Sequence, residues 1–166
     1  QDPIVEVRYL LERGRCYSSK DQAKKAYPLF IQAWGIAKAA RLDFLAVDAA
    51  HMVAIAATNP QKQIKWHKKA IVVTEKSTQA YVDTWYGTLY NNLGWSYHDI
   101  GDYEHAHELF LKAFEWRKQQ GDPKRFRIAK WLVARSLRSL ERYEEALEMQ
   151  QTLRQEFDTV GEDGPF

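Results

Sequence analysis

Cysteine is nearly absent from this sequence, which has one such residue, Cys16, in 166 positions. A single thiol cannot form a disulfide within the chain, so a disulfide-stapled fold is excluded. This composition is typical of a reducing compartment, and we therefore predict a cytoplasmic location. Cys16 lies between Arg15 and Tyr17 in a helical pattern, where we expect it to fill space between packed side chains rather than to act as a nucleophile.

Long apolar runs and a secretory signal pattern are also missing. No stretch reaches the length that a helix needs to cross a bilayer, so we expect no membrane segment. The net charge of +2 is too small to indicate nucleic-acid binding. The eight glycines are scattered and show no phosphate-binding loop. The sequence therefore predicts neither a cofactor nor an enzymatic activity.

What the sequence does contain is an internal repeat built on small and aromatic residues. The clearest copy runs from Tyr90 to Ala113 and reads Tyr-x-x-Leu-Gly-x-x-Tyr, followed by Ala-x-x-x-Phe-x-x-Ala. Similar copies lie at 14–33, 50–70 and 134–153, and the marker positions 26, 63, 106 and 146 recur at intervals of 37, 43 and 40 residues. Because a single unit of this size cannot bury its own apolar face, the units are expected to stack.

The spacing predicts an all-α chain of about four antiparallel helix pairs. We place the pairs at residues 4–19 with 22–40, 43–57 with 60–76, 80–100 with 103–120, and 124–141 with 143–157. Asp102, Asn59-Pro60 and Asp122-Pro123 supply cap chemistry that is typical of helix starts.

These units, at about 4–40, 43–76, 80–120 and 124–157, are expected to form a single domain over residues 1–157. The last stretch, 158–166, lacks periodicity, so we expect a disordered tail or the start of a further repeat there. Because the chain starts at Gln1 instead of Met, we also expect it to be a fragment of a longer protein.

The repeated residues resemble the tetratricopeptide repeat. The third unit matches almost in full, with Tyr90 in place of the usual Trp, whereas Arg13 replaces the Leu of the first unit and the second and fourth units diverge. The longer spacing is similar to that of kinesin light chains and of many bacterial regulatory proteins. The resemblance implies a right-handed superhelical solenoid whose first helices line a concave groove. It also implies a non-catalytic role, since such repeats usually bind peptides or partner segments.

One stripe of each first helix is therefore expected to face the groove. In the third unit Asn91, Trp95 and His98 follow helical spacing, and Asn92 lies beside them. Amide side chains can bond a peptide backbone of any sequence, and tryptophan offers a flat anchor, although Trp95 could instead pack in the core. The matching positions elsewhere are Trp131, Arg135 and Arg138 in the fourth unit, Arg8, Glu12 and Arg15 in the first, and Asp48 and Met52 in the second.

The two arginines of the fourth unit would favour an acidic peptide or another carboxylate, unless they lie on a solvated basic face. Asp48 and Met52 stand where binding to chaperone tails would need basic and amide groups, so that partner is disfavoured. We expect a protein or peptide segment as the partner, and neither nucleic acid nor a membrane. Two further roles stay open, a peptide-sensing domain of a larger regulator and self-association through the terminal repeats.

Three neighbouring histidines, His98, His105 and His107, raise the alternative of a metal or acid–base site. His105 and His107 are two positions apart on a predicted helix, so their side chains point in different directions and cannot hold one ion together. Glu104, His107 and Glu108 do share a face. We expect that face to be a solvated outer surface, and we predict no metal.

Overall fold

Helices joined by short loops make up the part of the chain that the computed structural model describes, residues 2–161. The eight helices are α1 (Pro3–Ser18), α2 (Ala23–Ala39), α3 (Asp43–Ala56), α4 (Pro60–Lys76), α5 (Tyr86–His98), α6 (Tyr103–Gln120), α7 (Pro123–Ser139) and α8 (Tyr143–Val160). A 3-10 helix, Val82–Trp85, precedes α5, and these residues contain no strand.

Three helix starts, those of α4, α6 and α7, follow the cap chemistry that the sequence predicts. The side chains of Asn59, Asp102 and Asp122 each accept a hydrogen bond from a backbone N–H three residues later, at 3.1–3.3 Å. Asp2 caps α1 in a similar way at 2.9 Å. Proline opens α1, α4 and α7, where its missing N–H removes no helical hydrogen bond. Local chemistry therefore sets these helix boundaries.

Two predicted boundaries need correction. The first helix of the third pair does not start at residue 80, because Tyr81 has a φ of 66° and the 3-10 helix follows it. This left-handed backbone conformation interrupts a right-handed helix. At the other end, α8 runs to Val160, so residues 158–160 are helical rather than part of a disordered tail. Residues 162–166 lie outside the described residues.

The chain divides into two compact units, with the boundary between Leu89 and Tyr90 inside α5. The core of the first unit is rich in alanine, which lets neighbouring helices approach closely. One cluster of the core of the second unit joins α6, α7 and α8. Its buried members are Ala106, Phe110, Leu132, Val133, Leu137 and Ala146.

In each helix pair, one position of the first helix and the position sixteen residues later in the second helix are equivalent across the repeats. We call these the crossing positions. In two pairs the crossing positions hold Gly14 with Phe30 and Gly94 with Phe110, and both rings are fully buried. A Cβ atom at Gly94 would lie 2.6 Å from the Phe110 ring, and one at Gly14 would also overlap its ring. Glycine is therefore needed there because the ring occupies the space of a side chain.

The other two pairs hold different residues at the crossing positions. In α3–α4 they are His51 and His67, whose ring centroids are 5.7 Å apart. In α7–α8 they are Ala134 and Gln150, both of which line an open cavity. The crossing positions thus vary between a tight apolar contact, a pair of polar rings and an unfilled space.

Candidate functional site

An arginine held between two tryptophans lies at the centre of the predicted site in the second unit. The Arg135 guanidinium carbon is 5.2 Å from the centroid of the Trp95 ring and 5.6 Å from that of Trp131. Trp131 lies one turn before Arg135 on α7, whereas Trp95 comes from α5. A cation over an aromatic face gains about 0.5–1 kcal/mol at exposed sites and more when desolvated, so the two rings favour this orientation of the guanidinium.

His98 lies next to this arginine. Its Nε2 atom is 2.9 Å from the Ser139 hydroxyl oxygen, and its ring packs 5.3 Å from Trp95 and 4.9 Å from Tyr103, measured between centroids. Burial lowers the pKa of His98, and the charge of Arg135 lowers it further. At neutral pH His98 therefore offers an uncharged ring that bonds α5 to α7.

Asn91 and Asn92 extend the same surface along α5. The Asn91 Nδ2 atom donates to Asn92 Oδ1 at 2.8 Å, and both side chains are half-buried. Within the described residues no other group bonds these amides, which leaves them further donors and acceptors for a partner. We call the whole set the α5–α7 stripe; it consists of Asn91, Asn92, Trp95, His98, Trp131, Arg135 and Arg138.

The two arginines of the α5–α7 stripe have no carboxylate partner among residues 2–161. The Nε atom of Arg135 is buried without a hydrogen bond, and Arg138 is exposed. Nearby Arg142, by contrast, pairs with Glu145 at 2.6 Å. An unsatisfied buried donor costs about 1–3 kcal/mol. The stripe therefore presents positive charge that a carboxylate would compensate.

A cavity of about 540 Å³ opens beside the stripe, between α7 and α8. We call it the α7–α8 cleft; its lining residues are Trp131, Ala134, Arg135, Arg138, Tyr143, Ala146, Leu147 and Gln150. Its volume falls within the range of ligand-binding clefts in proteins. The cleft thus combines an apolar wall with the two unpaired cations of the stripe.

The predicted site residues of the first unit bind mainly one another. Arg15 donates to both carboxylate oxygens of Asp48, at 2.6 and 2.8 Å, and to Glu12 at 2.5 Å. Burial raises the pKa of Asp48 and outweighs the opposing effect of Arg15. Met52 packs against the core, and Arg8 is exposed. The charges of Glu12, Arg15 and Asp48 are thus compensated within the first unit, so this unit has fewer free charges to offer a charged partner.

Two histidines that the sequence analysis does not select are buried in the first unit. The His51 ring lies 5.7 Å from His67 and 5.5 Å from Trp85, measured between centroids. Burial, followed by the charge of Arg15, lowers the pKa of His51 to about 4, and burial lowers that of His67 to about 3. Comparison of the repeat copies could have found them, because they replace the glycine and phenylalanine of the crossing positions.

Of the face that was predicted to be solvated, Glu104 and Glu108 are exposed, but the prediction is wrong for His107. His107 is buried, and its Nδ1 atom lies 2.8 Å from the hydroxyl oxygen of Ser136 on α7. Packing by a later helix decided this burial, which the pattern of α6 alone could not show. His105 is exposed and bonds the cap residue Asp102 at 2.8 Å. Cys16, predicted to be packing filler, is also exposed.

Within 2–161 no group of three or more His, Cys, Asp and Glu side chains could hold a metal ion. None of the described helices is both long and apolar enough to span a bilayer. What the α5–α7 stripe does offer is ring faces, amides and cations, which bind through noncovalent contacts.

Comparison with known proteins identifies one repeat and the fold. Residues 87–120 match the family model described as the tetratricopeptide repeat. No curated protein sequence matches the chain. Solved structures do match it, at 15–16% sequence identity, and likeness at this level of identity concerns the fold.

Three of these structures cover nearly the whole chain. TPR-like repeats described as those of a kinesin light chain from Podosopora anserina match 93% of this chain and 76% of their own, at 15% identity and a TM-score of 0.77. BtubC (BKLC) from P. vanneervenii matches 100% of this chain and 68% of its own, at 16% identity and a TM-score of 0.84. The signal-transduction ATPase with a tetratricopeptide repeat sensor from Pyrococcus horikoshii matches 95% of this chain and 24% of its own, at 16% identity and a TM-score of 0.80. The predicted all-α fold and its family resemblance are confirmed.

Proposed function

We propose that this chain, whose residues 87–120 form a tetratricopeptide repeat, is a non-catalytic scaffold that binds a protein or peptide segment along the α5–α7 stripe. The observation that carries the proposal is the unpaired Arg135 between Trp95 and Trp131. A cation already oriented by two rings loses little conformational freedom on binding, which favours affinity. The general use of this fold in protein interactions supports the same role, by analogy.

The chemistry of the stripe favours a partner segment that carries carboxylates. Arg138 is exposed beside Arg135, and a guanidinium recognises a carboxylate through two parallel hydrogen bonds. Asn91 and Asn92 can bond the partner backbone. The predicted site residues of the first unit would contribute less to binding, because the ion pair of Arg15 with Asp48 already uses most of their charge. These residues are Arg8, Glu12, Arg15, Asp48 and Met52. We further propose that residues 1–157 act as one binding domain and that the protein is cytoplasmic.

A double variant, Asn92→Ala/Arg135→Ala, tests this proposal. We expect it to keep its helical circular dichroism spectrum and to recover at least tenfold less partner in a quantitative pull-down with mass spectrometry. The matched control is Arg142→Ala, which removes an exposed arginine that pairs with Glu145 instead of facing the stripe. Partner recovery by the original chain should also fall as salt rises, since exposed charges are screened. Full recovery by the double variant would exclude the stripe as the binding surface.

A second candidate is a peptide-sensing domain of a larger regulator. The observation in its favour is the structural similarity to the Pyrococcus horikoshii protein, in which the repeat region is described as a sensor. In such a regulator, peptide binding would change the packing of a neighbouring domain. The domain order of the full-length gene tests this candidate. An ATPase or DNA-binding domain in the same reading frame would support it, and a gene without either would contradict it.

Self-association through the terminal helices is the third candidate. On α1, the large apolar side chains of Val5 and Tyr9 are 60% and 59% exposed. Exposed apolar groups of this kind are common at protein interfaces. Light scattering over a hundredfold range of concentration tests it directly. A mass that stays at 19.4 kDa throughout would contradict self-association.

A further inference from the structure

The second unit shows how a helix covers the open face of a helix pair, because α7 covers α5–α6. Among its contacts are those of Phe126 with Phe114, Arg135 with Trp95, Ser136 with His107 and Ser139 with His98. The two ring contacts measure 5.0 and 5.2 Å, and the two hydrogen bonds measure 2.8 and 2.9 Å. Beneath them, Phe110 is fully buried. These contacts mark the positions that a covering helix touches.

Forty residues later, the α7–α8 pair presents the same face, and none of the described helices covers it. The residues equivalent to Phe114, Trp95, His107 and His98 are Arg154, Arg135, Leu147 and Arg138. Leu147 is 59% exposed, whereas the equivalent His107 is 9% exposed. Within residues 2–161 no helix packs on this face, and the α7–α8 cleft opens there. This face could therefore accommodate a further helix. We call it the helix seat; it consists of Arg135, Arg138, Leu147 and Arg154.

The charge of this seat differs sharply from that of its equivalent. Arginine occupies three of the four contact positions, Arg135, Arg138 and Arg154, where α5–α6 holds aromatic residues. Arg135 and Arg138 have no carboxylate partner among the described residues. Arg154 approaches Asp158 only at 4.0 Å, with both side chains exposed, so that pair is weak. A helix that docks here is favoured if it carries acidic groups opposite the three arginines.

We propose that the α7–α8 cleft binds an amphipathic α-helix of a partner protein that carries carboxylates opposite Arg135, Arg138 and Arg154. The inference rests on the proposed binding function and names the kind of segment that is bound. If the bound helix packs on α7–α8 as α7 packs on α5–α6, its acidic residues have the same spacing as Phe126, Arg135 and Ser139 of α7. An apolar residue at the position of Ser136 lies over Leu147.

A second copy of this chain fits the seat less well. Its first helix, α1, with the following residue Ser19, would present Glu6, Arg15 and Ser19 at the three positions that face the arginines. Of these three, Glu6 alone carries a carboxylate, and Arg15, which already pairs with Asp48, offers none to Arg135. Charge therefore favours a partner protein over self-association at this face.

Synthetic peptides based on residues 123–139 test the proposal, because this helix covers the equivalent face in the same chain. The acidic probe carries Phe126→Glu, Arg135→Glu and Ser139→Glu, with Ser136→Leu to face Leu147. The neutral probe has glutamine at the same three positions and is otherwise identical. Both are labelled and titrated with the full chain by fluorescence anisotropy at low salt. We expect the acidic probe to bind at least tenfold more tightly, and equal affinity of the two probes would overturn the proposal.

Variants of the chain locate the binding surface. Leu147→Asp places a carboxylate in the seat and should weaken the acidic probe at least tenfold, whereas the control Arg142→Gln should leave its affinity unchanged. Arg138→Glu/Arg154→Glu should reverse the preference, so that a probe with lysine at the three positions binds better than the acidic one. Circular dichroism verifies that each variant is folded. Unchanged binding of the acidic probe by Leu147→Asp would contradict binding at the cleft.

The outcomes also separate this inference from the proposed function. Charge-dependent probe binding that Leu147→Asp abolishes supports the helix seat, even if partner capture proves independent of the α5–α7 stripe. Partner capture that needs the stripe, combined with probes of equal affinity, refutes the helix seat alone. A concentration-dependent mass that Leu147→Asp reduces to that of the monomer would show that a second copy occupies the seat, against the proposal.

Discussion

The pairs α5–α6 and α3–α4 solve the same packing problem with different residues at their crossing positions. In α5–α6, Gly94 leaves room for the fully buried ring of Phe110, which removes a large apolar surface from water. In α3–α4, His51 and His67 place two polar rings at the same point, and burial keeps both uncharged at neutral pH. The glycine–phenylalanine crossing favours apolar packing, whereas the histidine crossing makes the stability of its helix pair depend on pH.

The pair α7–α8 shows a third outcome. Ala134 fills the space that glycine leaves open elsewhere, and Gln150 replaces the ring, so the crossing is only partly filled and lines the α7–α8 cleft. Divergence from the repeat pattern thus coincides with the feature that can bind a partner.

Removal of the ring at the α5–α6 crossing should have the largest effect. Phe110→Ala leaves a cavity in a fully buried position, and such changes cost about 3–5 kcal/mol of the free energy of unfolding. The equivalent change in α7–α8, Gln150→Ala, should cost less than about 1 kcal/mol because that side chain is half-buried beside an open cleft. Urea unfolding of both variants measures the difference, and similar losses would mean that the two crossings are packed alike.

Acid should destabilise the chain through the α3–α4 crossing. The folded pKa values of His51 and His67, about 4 and about 3, lie below the ordinary value of 6.5. Their contribution to stability is therefore complete above pH 6.5 and is lost as the pH falls towards 4. The slope is on the order of 1.4 kcal/mol per pH unit for each histidine. Urea unfolding at several pH values between 7 and 4.5 measures it.

The matched control for the acid effect restores the residues of the other pairs. His51→Gly/His67→Phe replaces both protonatable rings with the combination found in α5–α6. We expect this variant to lose most of the pH dependence between 6.5 and 4.5, apart from the share that carboxylates contribute. If the double variant keeps the full slope, the histidine crossing is not the acid-sensitive element.

The helices could be predicted from the sequence because their signals are local. Caps such as Asn59 and Asp122, and the spacing of small and aromatic residues, determine most boundaries within a few positions. The start of α5 could not be predicted this way, since the left-handed backbone of Tyr81 depends on its surroundings. Periodicity describes one helix at a time and does not contain that information.

The same limit explains what the sequence showed of the candidate site. Helical spacing correctly places Trp131 and Arg135 on one face of α7, but the contact with Trp95 depends on how α5 packs against α7. Arg15 and Asp48 are 33 residues apart, and nothing in either helix alone indicates that they pair. Their ion pair follows from which faces of α1 and α3 meet.

A smaller effect is expected from a methyl group at the α5–α6 crossing. Gly94→Ala adds a Cβ atom 2.6 Å from the Phe110 ring, and overpacking of this kind costs about 1–3 kcal/mol. The control is Gly35→Ala in α2, where a Cβ atom meets nothing within 4 Å. Alanine should stabilise that exposed helical position by about 0.5–1 kcal/mol, because it restricts the unfolded chain. Thermal unfolding distinguishes the two changes, and a stabilising Gly94→Ala would show that the ring can move aside.

The smallest effect should come from restoring the repeat pattern in α7–α8. Gln150→Phe alone should add little stability, because the Cβ atom of Ala134 takes the space that a glycine leaves for the ring in α5–α6. The double variant Ala134→Gly/Gln150→Phe makes that space, at a helix-propensity cost of about 1 kcal/mol, and gains about 1.5–3 kcal/mol from ring burial. We therefore expect a net gain of about 1 kcal/mol for the double variant, measured by urea unfolding. The filled crossing should also narrow the α7–α8 cleft and weaken the acidic probe, whereas unchanged probe affinity would mean that the ring lies outside the cleft.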